Sequence, residues 1–350
     1  MISNHHIWLL AIAIIAFVAS LGGVHLFRQY ALSRGHIDLP NDRSSHEAPT
    51  PRGGGLVIAV VVLAAYAVSA FVFGYPLSKG YLAGSALIVA VSWLDDIYSV
   101  AFHWRLLVHI AASIFLIADT GYFDSIYLPY HGGDLSLGSV GSILSVAAII
   151  WAVNAYNFMD GIDGIAGSQA AVAGIGWLVV GLVLDLPGVT TLAIVLFAAS
   201  VGFLVHNWPP ASIFMGDAGS AFLGFSFAAM PFLSRREGDV GHTILPWIAL
   251  FMIWFFVFDT LMTMLRRLFH RERIWRAHRS HLYQRMVING LSHRRVTGIY
   301  FMLSTGIMVT TSYFAVDRRA MEIVTIPAVI LSTLVLIIAF LMSKKGVSSL

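Results

Sequence analysis

Four polar side chains recur at every third position of the segment NAYNFMDGIDGIAG, which follows a mostly apolar stretch: Asn154, Asn157, Asp160 and Asp163. Neighbouring members such as Asp160 and Asp163 can share one face of a helix. Two carboxylates this close to lipid are costly unless a cation lies between them. Because the segment offers only oxygen ligands, we expect a hard divalent cation. The alternative interpretation is a polar loop between two membrane helices, which would need no carboxylate pair at a fixed step.

Two further segments place carboxylates at the ends of apolar stretches. SWLDDIYSV contains Asp95 and Asp96, whose side chains diverge by about 100° on a helix and are therefore expected to have different roles. HNWPPASIFMGDAGS contains Asp217, just before the small residues that begin the next helix. The plainer alternatives are a solvated acidic helix end for the first pair and an N-cap for Asp217. A cap can also bind a metal, because a carboxylate has two oxygens.

Two loops carry side chains suited to anions. One is the arginine-rich segment RRLFHRERIWRAHRSHLYQR, and the other is HEAPTPRGGG, whose glycines let the backbone approach an anion closely. The candidate substrate-binding residues are Arg276, His278, Arg279 and His281 in the first loop, and His46 and Arg52 in the second. The alternative for the first loop is a charged surface that lies on anionic headgroups. A zinc site fits poorly, because no cysteine or third histidine stands at motif spacing.

The composition indicates an integral membrane protein. Of 350 residues, 58% are hydrophobic and 11% are charged, whereas a soluble domain carries about 25% charged residues. The chain has no cysteine, which excludes disulfides and thiolate metal sites. A nucleic-acid partner is not expected, because the arginines stand at the edges of apolar stretches rather than along one basic face.

The hydropathy pattern predicts an all-α polytopic membrane protein, a single domain over residues 1–350 with about eleven transmembrane helices. The predicted spans are about 7–27, 54–74, 79–97, 105–122, 138–157, 164–184, 189–207, 217–233, 243–265, 295–314 and 322–342. Cytoplasmic loops are expected at about 28–53, 95–104, 154–164, 207–217 and 266–294.

The distribution of basic residues predicts the orientation. An odd number of spans puts the termini on opposite sides, and most lysines and arginines fall in the cytoplasmic segments when the N-terminus is outside. In that orientation the acidic and histidine motifs all fall on the cytoplasmic side: Asp95, Asp96, Asp160, Asp163, Asp217, His278 and His281. Convergence of independent segments on one face is what an active site requires.

Taken together, five motifs resemble one known family. NAYNFMDGIDGIAG, WLDDIYS, FMGDAGS, PTPRGGG and the late HRSH are similar to segments of the polyprenyl-phosphate N-acetylhexosamine-1-phosphate transferases. That family includes undecaprenyl-phosphate GlcNAc-1-phosphate transferases, and the phospho-MurNAc-pentapeptide translocase is a relative. Each motif alone is weak, but the five stand in the right order and span roughly residues 43 to 285. The chain departs from the histidine-rich pattern of the translocase at Ser280, which argues against a MurNAc-pentapeptide substrate.

The resemblance implies an enzyme of the bacterial inner membrane with a cytoplasmic site that uses Mg²⁺, or alternatively Mn²⁺. It implies transfer of an N-acetylhexosamine-1-phosphate from a UDP-sugar to undecaprenyl phosphate, with release of UMP, to initiate a polysaccharide such as O-antigen. The sugar is left open between GlcNAc and an epimeric or 6-deoxy relative. The partners implied are UDP-N-acetylhexosamine, undecaprenyl phosphate and membrane lipids, and a homodimer is a possible assembly.

The same resemblance implies roles for individual residues. The catalytic candidates are Asp95, Asp96 and Asp163; the metal candidates are Asp217, Asp160 and Asp163; Asn157 belongs to the nucleotide and metal cluster; and His278 and His281 match the family's late histidines. Apart from the resemblance, Asp259 lies one or two turns before Arg266 and Arg267 and is interpreted as part of an intrahelical or interhelical ion pair rather than as a catalytic group.

Two other functions and two mechanisms remain open in the sequence. An ion-coupled transporter would place acids near the bilayer centre and show repeat symmetry, and a Mg²⁺-dependent intramembrane prenyltransferase would carry two separated Asp-rich motifs. For the transferase, direct attack by the lipid phosphate is favoured, because that phosphate is already ionised and needs positioning more than deprotonation. A covalent aspartyl-phosphate on Asp95 is the alternative.

Overall fold

Long helices build this protein, as described by a computed structural model over residues 4–40, 48–238, 242–272, 278–313 and 317–347. The helices are α1 (Asn4–Arg34), α2 (Gly55–Phe73), α3 (Lys79–Tyr98), α4 (Phe102–Thr120), α5 (Val140–Met159), α6 (Ile165–Val183), α7 (Pro187–Asn207), α8 (Asp217–Glu237), α9 (Leu245–Met252), α10 (Trp254–Phe269), α11 (Leu282–Ile288), α12 (His293–Tyr313), α13 (Arg318–Ala320) and α14 (Ile326–Val347). Within the described ranges, the named strands form two short antiparallel pairs: β1 (Ile37–Asp38) with β2 (Thr50–Pro51), and β3 (Ser125–Leu128) with β4 (Gly133–Ser136). The predicted all-α class is confirmed.

The number of spans is smaller than predicted when length and hydropathy are both required. Among the described residues, eight helices meet both criteria, or nine if the pair α9 and α10, bent by 78°, is counted as one span. The predicted spans 217–233 and 295–314 correspond to α8 and α12, which are long enough but too polar to qualify. The multi-pass architecture is therefore confirmed, whereas the count of eleven stays a prediction.

The burial pattern explains why α8 can be polar. The apolar windows of α6 and α7 are 78% and 72% buried inside the protein, against 22% for α1. In α8 every residue from Ala218 to Ser234 is buried. Its neighbours include α5, α3 and α2. A helix enclosed by protein has no need for the apolar surface that lipid demands, so its small and polar residues serve packing instead.

Two glycines allow α2 and α8 to approach closely. A Cβ on Gly55 would lie 2.5 Å from the Cα of Gly219, and a Cβ on Gly219 would lie 2.5 Å from the Cα of Gly55. Just before them, the PRGGG loop is hydrogen-bonded to the segment that precedes α8, through Gly54 N–H to Phe214 O (3.0 Å) and Phe214 N–H to Pro51 O (2.8 Å). This pairing places the side chains that follow, Arg52 and Asp217, next to each other.

Candidate active site

The carboxylates of Asp96 and Asp217 meet at the point where α3 ends and α8 begins. The Asp96 carboxylate accepts hydrogen bonds from the backbone N–H groups of Asp217 (3.0 Å) and Ala218 (3.1 Å), so it caps α8 from a neighbouring helix. Arg52 Nη2 lies 2.8 Å from Asp96 Oδ1 and also contacts Asp217 Oδ1. Although burial lowers the pKa of Arg52, the carboxylates of Asp217 and Asp96 raise it above its usual value. The guanidinium therefore stays charged and neutralises the pair.

Asp95 points to a different set of partners, as the sequence predicted for adjacent helical residues. Its carboxylate contacts Arg105 Nη1, and the same nitrogen lies 3.4 Å from Asp217 Oδ2. The carboxyl groups of Asp95 and Asp217 are within hydrogen-bonding reach of each other. The Asp96 side chain is 4% exposed and that of Asp217 is 18% exposed. Asp96 is thus the most buried of the three carboxylates and caps α8, while Asp95 and Asp217 are somewhat more exposed; the predicted catalytic role of Asp96 stays a prediction.

The end of α5 joins the same cluster through Asn157. Its Nδ2 donates to Asp217 Oδ2 (3.3 Å), and its Oδ1 accepts from the hydroxyl of Ser220 on α8 (3.2 Å). Asn154, one turn earlier, instead donates to the carbonyl of Ile150 within α5. Of the two asparagines in the repeating motif, only Asn157 therefore contacts the carboxylate cluster.

Asp160 follows α5 directly and lies in the field of the same cluster. Burial raises the pKa of Asp160 to about 7; Arg52 opposes the rise, whereas Asp217 and Asp96 add to it. A carboxyl that titrates near neutral pH is responsive to any cation brought close to it, because a nearby positive charge favours the ionised form.

This pKa predicts how stability depends on pH in the magnesium-free protein. The pKa of an unfolded Asp is about 3.9. The folded state therefore binds the proton more tightly, and the contribution of Asp160 to stability falls as pH rises from about 4 to about 7. Asp160→Asn should remove this loss. With EDTA present, the thermal midpoint of the variant in detergent should exceed the wild-type midpoint at pH 8, by more than it does at pH 5. A difference between the two proteins that does not change with pH would contradict the assignment.

Asp163 is held by a different group of residues. Its Oδ1 lies 3.3 Å from His293 Nδ1, its Oδ2 accepts from the backbone N–H of Ala211 (3.0 Å), and its carbonyl accepts from the hydroxyl of Thr297 (2.8 Å). These contacts tie the DGIDG loop to the loop before α8 and to the start of α12. Asp163 also adds to the rise in the pKa of Asp160, and its predicted catalytic and metal-binding roles stay predictions.

The two histidines of the HRSH motif lie side by side before α11. Their ring centroids are 5.0 Å apart, and His278 Nδ1 lies 2.8 Å from the Ser280 hydroxyl. Burial, the neighbouring His281 and two arginines lower the pKa of His278 to about 4, so it is neutral at physiological pH. His281 Nδ1 lies 3.3 Å from a carboxylate oxygen of Asp259.

The ion pair predicted for Asp259 stays a prediction, and its carboxylate lies 3.3 Å from His281 Nδ1, which stands outside α10. The Asp259 carboxylate accepts hydrogen bonds from Thr263 on α10, from α12 and from the start of α11, where His281 lies. Arg266 donates to the carbonyl of Ser280, and Arg267 pairs with Glu272.

The HRSH segment borders the carboxylate cluster through α11. The Tyr283 hydroxyl donates to the carbonyl of Phe158, directly after Asn157 (3.0 Å). Any side chain at Gly161 would overlap the Tyr283 hydroxyl, so the DGIDG loop needs a glycine there to sit against α11. The donor-binding candidates His278 and His281 are therefore brought to the same end of the bundle as Asp160 and Asp217. Arg279 lies beside them, whereas His46 and Arg276 fall outside the described residues.

The carboxylate oxygens of this cluster are ligands that suit a hard divalent cation, although they do not by themselves complete a coordination shell. Among the described residues, no three acidic or histidine side chains lie close enough to form a ready-made metal site. Mg²⁺ takes oxygen ligands and commonly uses one or two carboxylates together with waters and substrate phosphates. Asp95 and Asp217, which share Arg105 as counter-ion, offer that number of carboxylates. Asp160 lies in the electrostatic field of the same cluster, and its predicted metal-binding role stays a prediction.

Two residues of this region, Arg105 and His293, were not singled out from the sequence, and the contacts that Asp259 makes were not predicted. Arg105 stands in an ordinary-looking segment, FHWRLLVH, and its signal was only that it opens the helix after Asp95. Asp259 was noticed as an acid within an apolar span, which by itself is a functional hint. His293 had no motif context at all, and only the packing of α12 reveals its contact with Asp163.

Comparison with known proteins identifies the family. The sequence model of glycosyl transferase family 4 matches residues 78–235, which include Asp95, Asp96, Asn157, Asp160, Asp163 and Asp217. The chain is 31% identical over 343 residues to a decaprenyl-phosphate N-acetylglucosaminephosphotransferase of Mycolicibacterium smegmatis, covering 88% of this chain and 83% of the relative.

Two other relatives agree. A probable undecaprenyl-phosphate N-acetylglucosaminyl 1-phosphate transferase of Bacillus subtilis is 28% identical over 302 residues, covering 83% of this chain and 81% of the relative. The undecaprenyl-phosphate alpha-N-acetylglucosaminyl 1-phosphate transferase of Escherichia coli K12 is 27% identical over 308 residues, with 82% and 80% covered. The chain therefore belongs to glycosyl transferase family 4, together with the polyprenyl-phosphate N-acetylglucosaminyl 1-phosphate transferases, and is a multi-pass membrane enzyme that transfers a sugar phosphate.

Proposed function

We propose that the protein transfers an N-acetylhexosamine-1-phosphate from a UDP-sugar to undecaprenyl phosphate, releasing UMP, at the cytoplasmic face of a bacterial inner membrane. The observation that carries the proposal is the convergence of Asp95, Asp217, Arg52 and Arg105 at one end of a bundle of apolar helices. A polar donor and a lipid acceptor can meet only at such an edge. The relatives named for polyprenyl-phosphate acceptors support the same acceptor class here.

An apolar cavity supports a lipid acceptor. It has a volume of about 300 Å³ and is lined almost wholly by apolar residues of α5, α8, α9 and α10, such as Leu144, Ala152, Phe227 and Val257. Along α5, Ala152 is five residues before Asn157, which corresponds to about 8 Å of helix axis. Ile253, which stands at the bend between α9 and α10, lines this cavity. An isoprenoid chain seated there would carry its phosphate toward the carboxylate cluster.

The chemistry follows from the charges at this site. A phosphate oxygen of the lipid attacks the phosphorus that bears the sugar, the bond from that phosphorus to the bridging oxygen breaks, and UMP leaves with the bond electrons. Arg52 and Arg105 can turn from their carboxylate partners to the donor diphosphate, since arginine binds phosphate in bidentate geometry. Asn157 and Asp96 hold Asp217 in place. When bound by Asp95 and Asp217, Mg²⁺ would neutralise the donor diphosphate and stabilise the leaving group.

The proposed function is tested by UMP release from UDP-GlcNAc with the purified full-length protein in detergent. Release should require both undecaprenyl phosphate and Mg²⁺, and the lipid product should carry the sugar phosphate. No release from any of a panel of UDP-N-acetylhexosamines would refute the proposal. Release of pyrophosphate from a polyprenyl diphosphate would support the prenyltransferase alternative, and ion flux in vesicles without turnover would support the transporter. The same panel, including 6-deoxy and C4-epimeric sugars, identifies the donor. We also propose that the product begins a surface polysaccharide such as O-antigen.

The orientation in the membrane gives a separate prediction. α8 begins at the carboxylate cluster and ends at the opposite end of the bundle, near Gly238, whereas α12 begins after Ser292, next to Asp163. Reporter fusions at Gly238 and Ser292 should therefore give opposite sides, with Ser292 in the cytoplasm. Fusions that report the same side would contradict this topology. A fusion at Ser212, which lies in the loop before α8, is the control that should agree with Ser292.

A further inference from the structure

The carboxylate of Asp259 on α10 accepts an unusually large number of hydrogen bonds for one buried side chain. Its side chain is 0% exposed, yet its carboxylate accepts from five donors on three helices. They are the backbone N–H groups of Leu282 (2.8 Å) and Tyr283 (3.2 Å), the hydroxyls of Tyr300 (2.8 Å) and Thr263 (3.2 Å), and His281 Nδ1 (3.3 Å). Burying a carboxylate costs much free energy unless hydrogen bonds compensate for the lost water. The five donors supply such hydrogen bonds to Asp259.

The bonds to α11 alone would suffice for a structural role. Two backbone N–H groups at the start of a short helix are the usual partners of a capping carboxylate. The Tyr300 hydroxyl, from α12, ties that cap to the bundle. Neither function requires an imidazole. The contact with His281 Nδ1 is therefore an additional constraint, and it acts on one of the two predicted donor-binding histidines.

The surroundings of His281 fix its ring. The residue is 4% exposed, its ring centroid lies 5.0 Å from that of His278 and 6.1 Å from that of Phe158, and it stacks near Tyr283 at 5.9 Å. With Nδ1–H donating to Asp259, the remaining nitrogen, Nε2, is the atom left for a ligand. A carboxylate that holds one ring nitrogen in this way sets both the tautomer and the direction of the other.

We propose that Asp259 is a positioning residue for donor recognition: it holds His281 with Nδ1 protonated, so that Nε2 is presented to the diphosphate or sugar of the nucleotide-sugar donor. This inference rests on the proposed function and adds to it a residue that does not itself touch substrate. Asp259 acts from within the helix bundle, while His281 lies beside Phe158, one residue from Asn157 of the carboxylate cluster.

A double-mutant cycle tests the proposal on the full-length enzyme, with Asp259→Asn, His281→Ala and the double variant. Each single substitution should raise the KM for the UDP-sugar about tenfold or more, while the KM for the lipid phosphate stays unchanged. The double variant should be no worse than His281→Ala alone, because Asp259 acts through that ring. Tyr300→Phe is the matched control: it removes another donor to Asp259, so it should lower the thermal midpoint without changing the donor KM.

The outcomes separate this inference from the proposed function. If the wild-type enzyme releases UMP but the two single effects add in the double variant, Asp259 has only a structural role and the inference is overturned. An Asp259→Asn variant that behaves like Tyr300→Phe overturns it as well. If Asp259→Asn does not fold, Asp259→Glu keeps the charge and displaces the carboxylate by one methylene; it should raise the donor KM, and an unchanged KM would overturn the inference. A wild type without lipid-dependent UMP release refutes the proposed function instead.

Discussion

Asp217→Asn is expected to lower kcat/KM by about a thousandfold, the upper end of what the loss of one electrostatic contact to the transition state costs. Asp217 is the residue on which the cluster converges: it contacts Arg52 and Arg105, accepts from Asn157, and faces Asp95. The asparagine keeps the shape and removes the charge. Fold should survive, because the N-terminus of α8 is capped by Asp96 rather than by Asp217 itself.

The measurement is steady-state UMP release over a range of Mg²⁺ concentrations, with size-exclusion behaviour and thermal midpoint as checks on folding. Asp134→Asn is the matched control, since Asp134 is an exposed acid at the other end of the bundle that pairs with Arg318. It should leave turnover unchanged. An Asp217→Asn variant that releases UMP at the wild-type rate and with the wild-type Mg²⁺ dependence would show that Asp217 neither binds the metal nor stabilises the reacting phosphates.

The second large effect is expected at Asp95, and it distinguishes the two mechanisms. Asp95 is bound by Arg105 and lies beside Asp217, which describes a carboxylate placed to organise cations around a phosphate. We expect Asp95→Asn to lose about a hundredfold to a thousandfold in kcat and to retain a measurable rate, because the arginines and Asp217 still stabilise the transition state. In this case the wild type should not exchange labelled UMP into UDP-sugar when lipid is absent.

A covalent route predicts the opposite pair of results. If Asp95 were the nucleophile, its loss would leave no path to product, and the wild type would catalyse the UMP exchange without any lipid acceptor. Exchange at a rate comparable with turnover would therefore overturn direct attack in favour of an aspartyl-phosphate. Asp96→Asn is the useful comparison, since Asp96 caps α8 and its loss should lower stability as well as rate.

Much of the fold was predictable because long apolar runs have few alternatives in a membrane. The predicted span 54–74 is α2 (Gly55–Phe73), and 79–97 is α3 (Lys79–Tyr98). The predicted single span 243–265 is instead two helices bent by 78°, because residues 252–254 interrupt the helix at a point where no proline or glycine gives a signal. Hydropathy measures how apolar a segment is and carries little information about its direction.

The site was predictable where a single motif determines where a side chain lies. It was not predictable where a side chain contacts a residue on a helix that is distant in the sequence. The carboxylates of Asp95, Asp96 and Asp217 meet as their order on one face implied. Asp163 contacts His293, 130 residues later, and the Asp259 carboxylate accepts hydrogen bonds from the backbone of α11. Such choices are decided by tertiary packing, which a local pattern does not contain.

The enclosure of α8 has a consequence for how the chain is made. Alone, α8 is less apolar than the helices that meet the criteria for a span, so its drive to partition from the translocon into lipid is weaker, because hydropathy drives that step. Its neighbours α2, α3 and α5 all precede it in the chain and are already available when it is synthesised. We therefore expect helices that are already in place to assist the insertion of α8. Arg52, in the PRGGG loop, is synthesised earlier than Asp217, so their ion pair forms only when α8 has been inserted. Membrane integration and assembly of the catalytic centre would then be a single late event in biosynthesis.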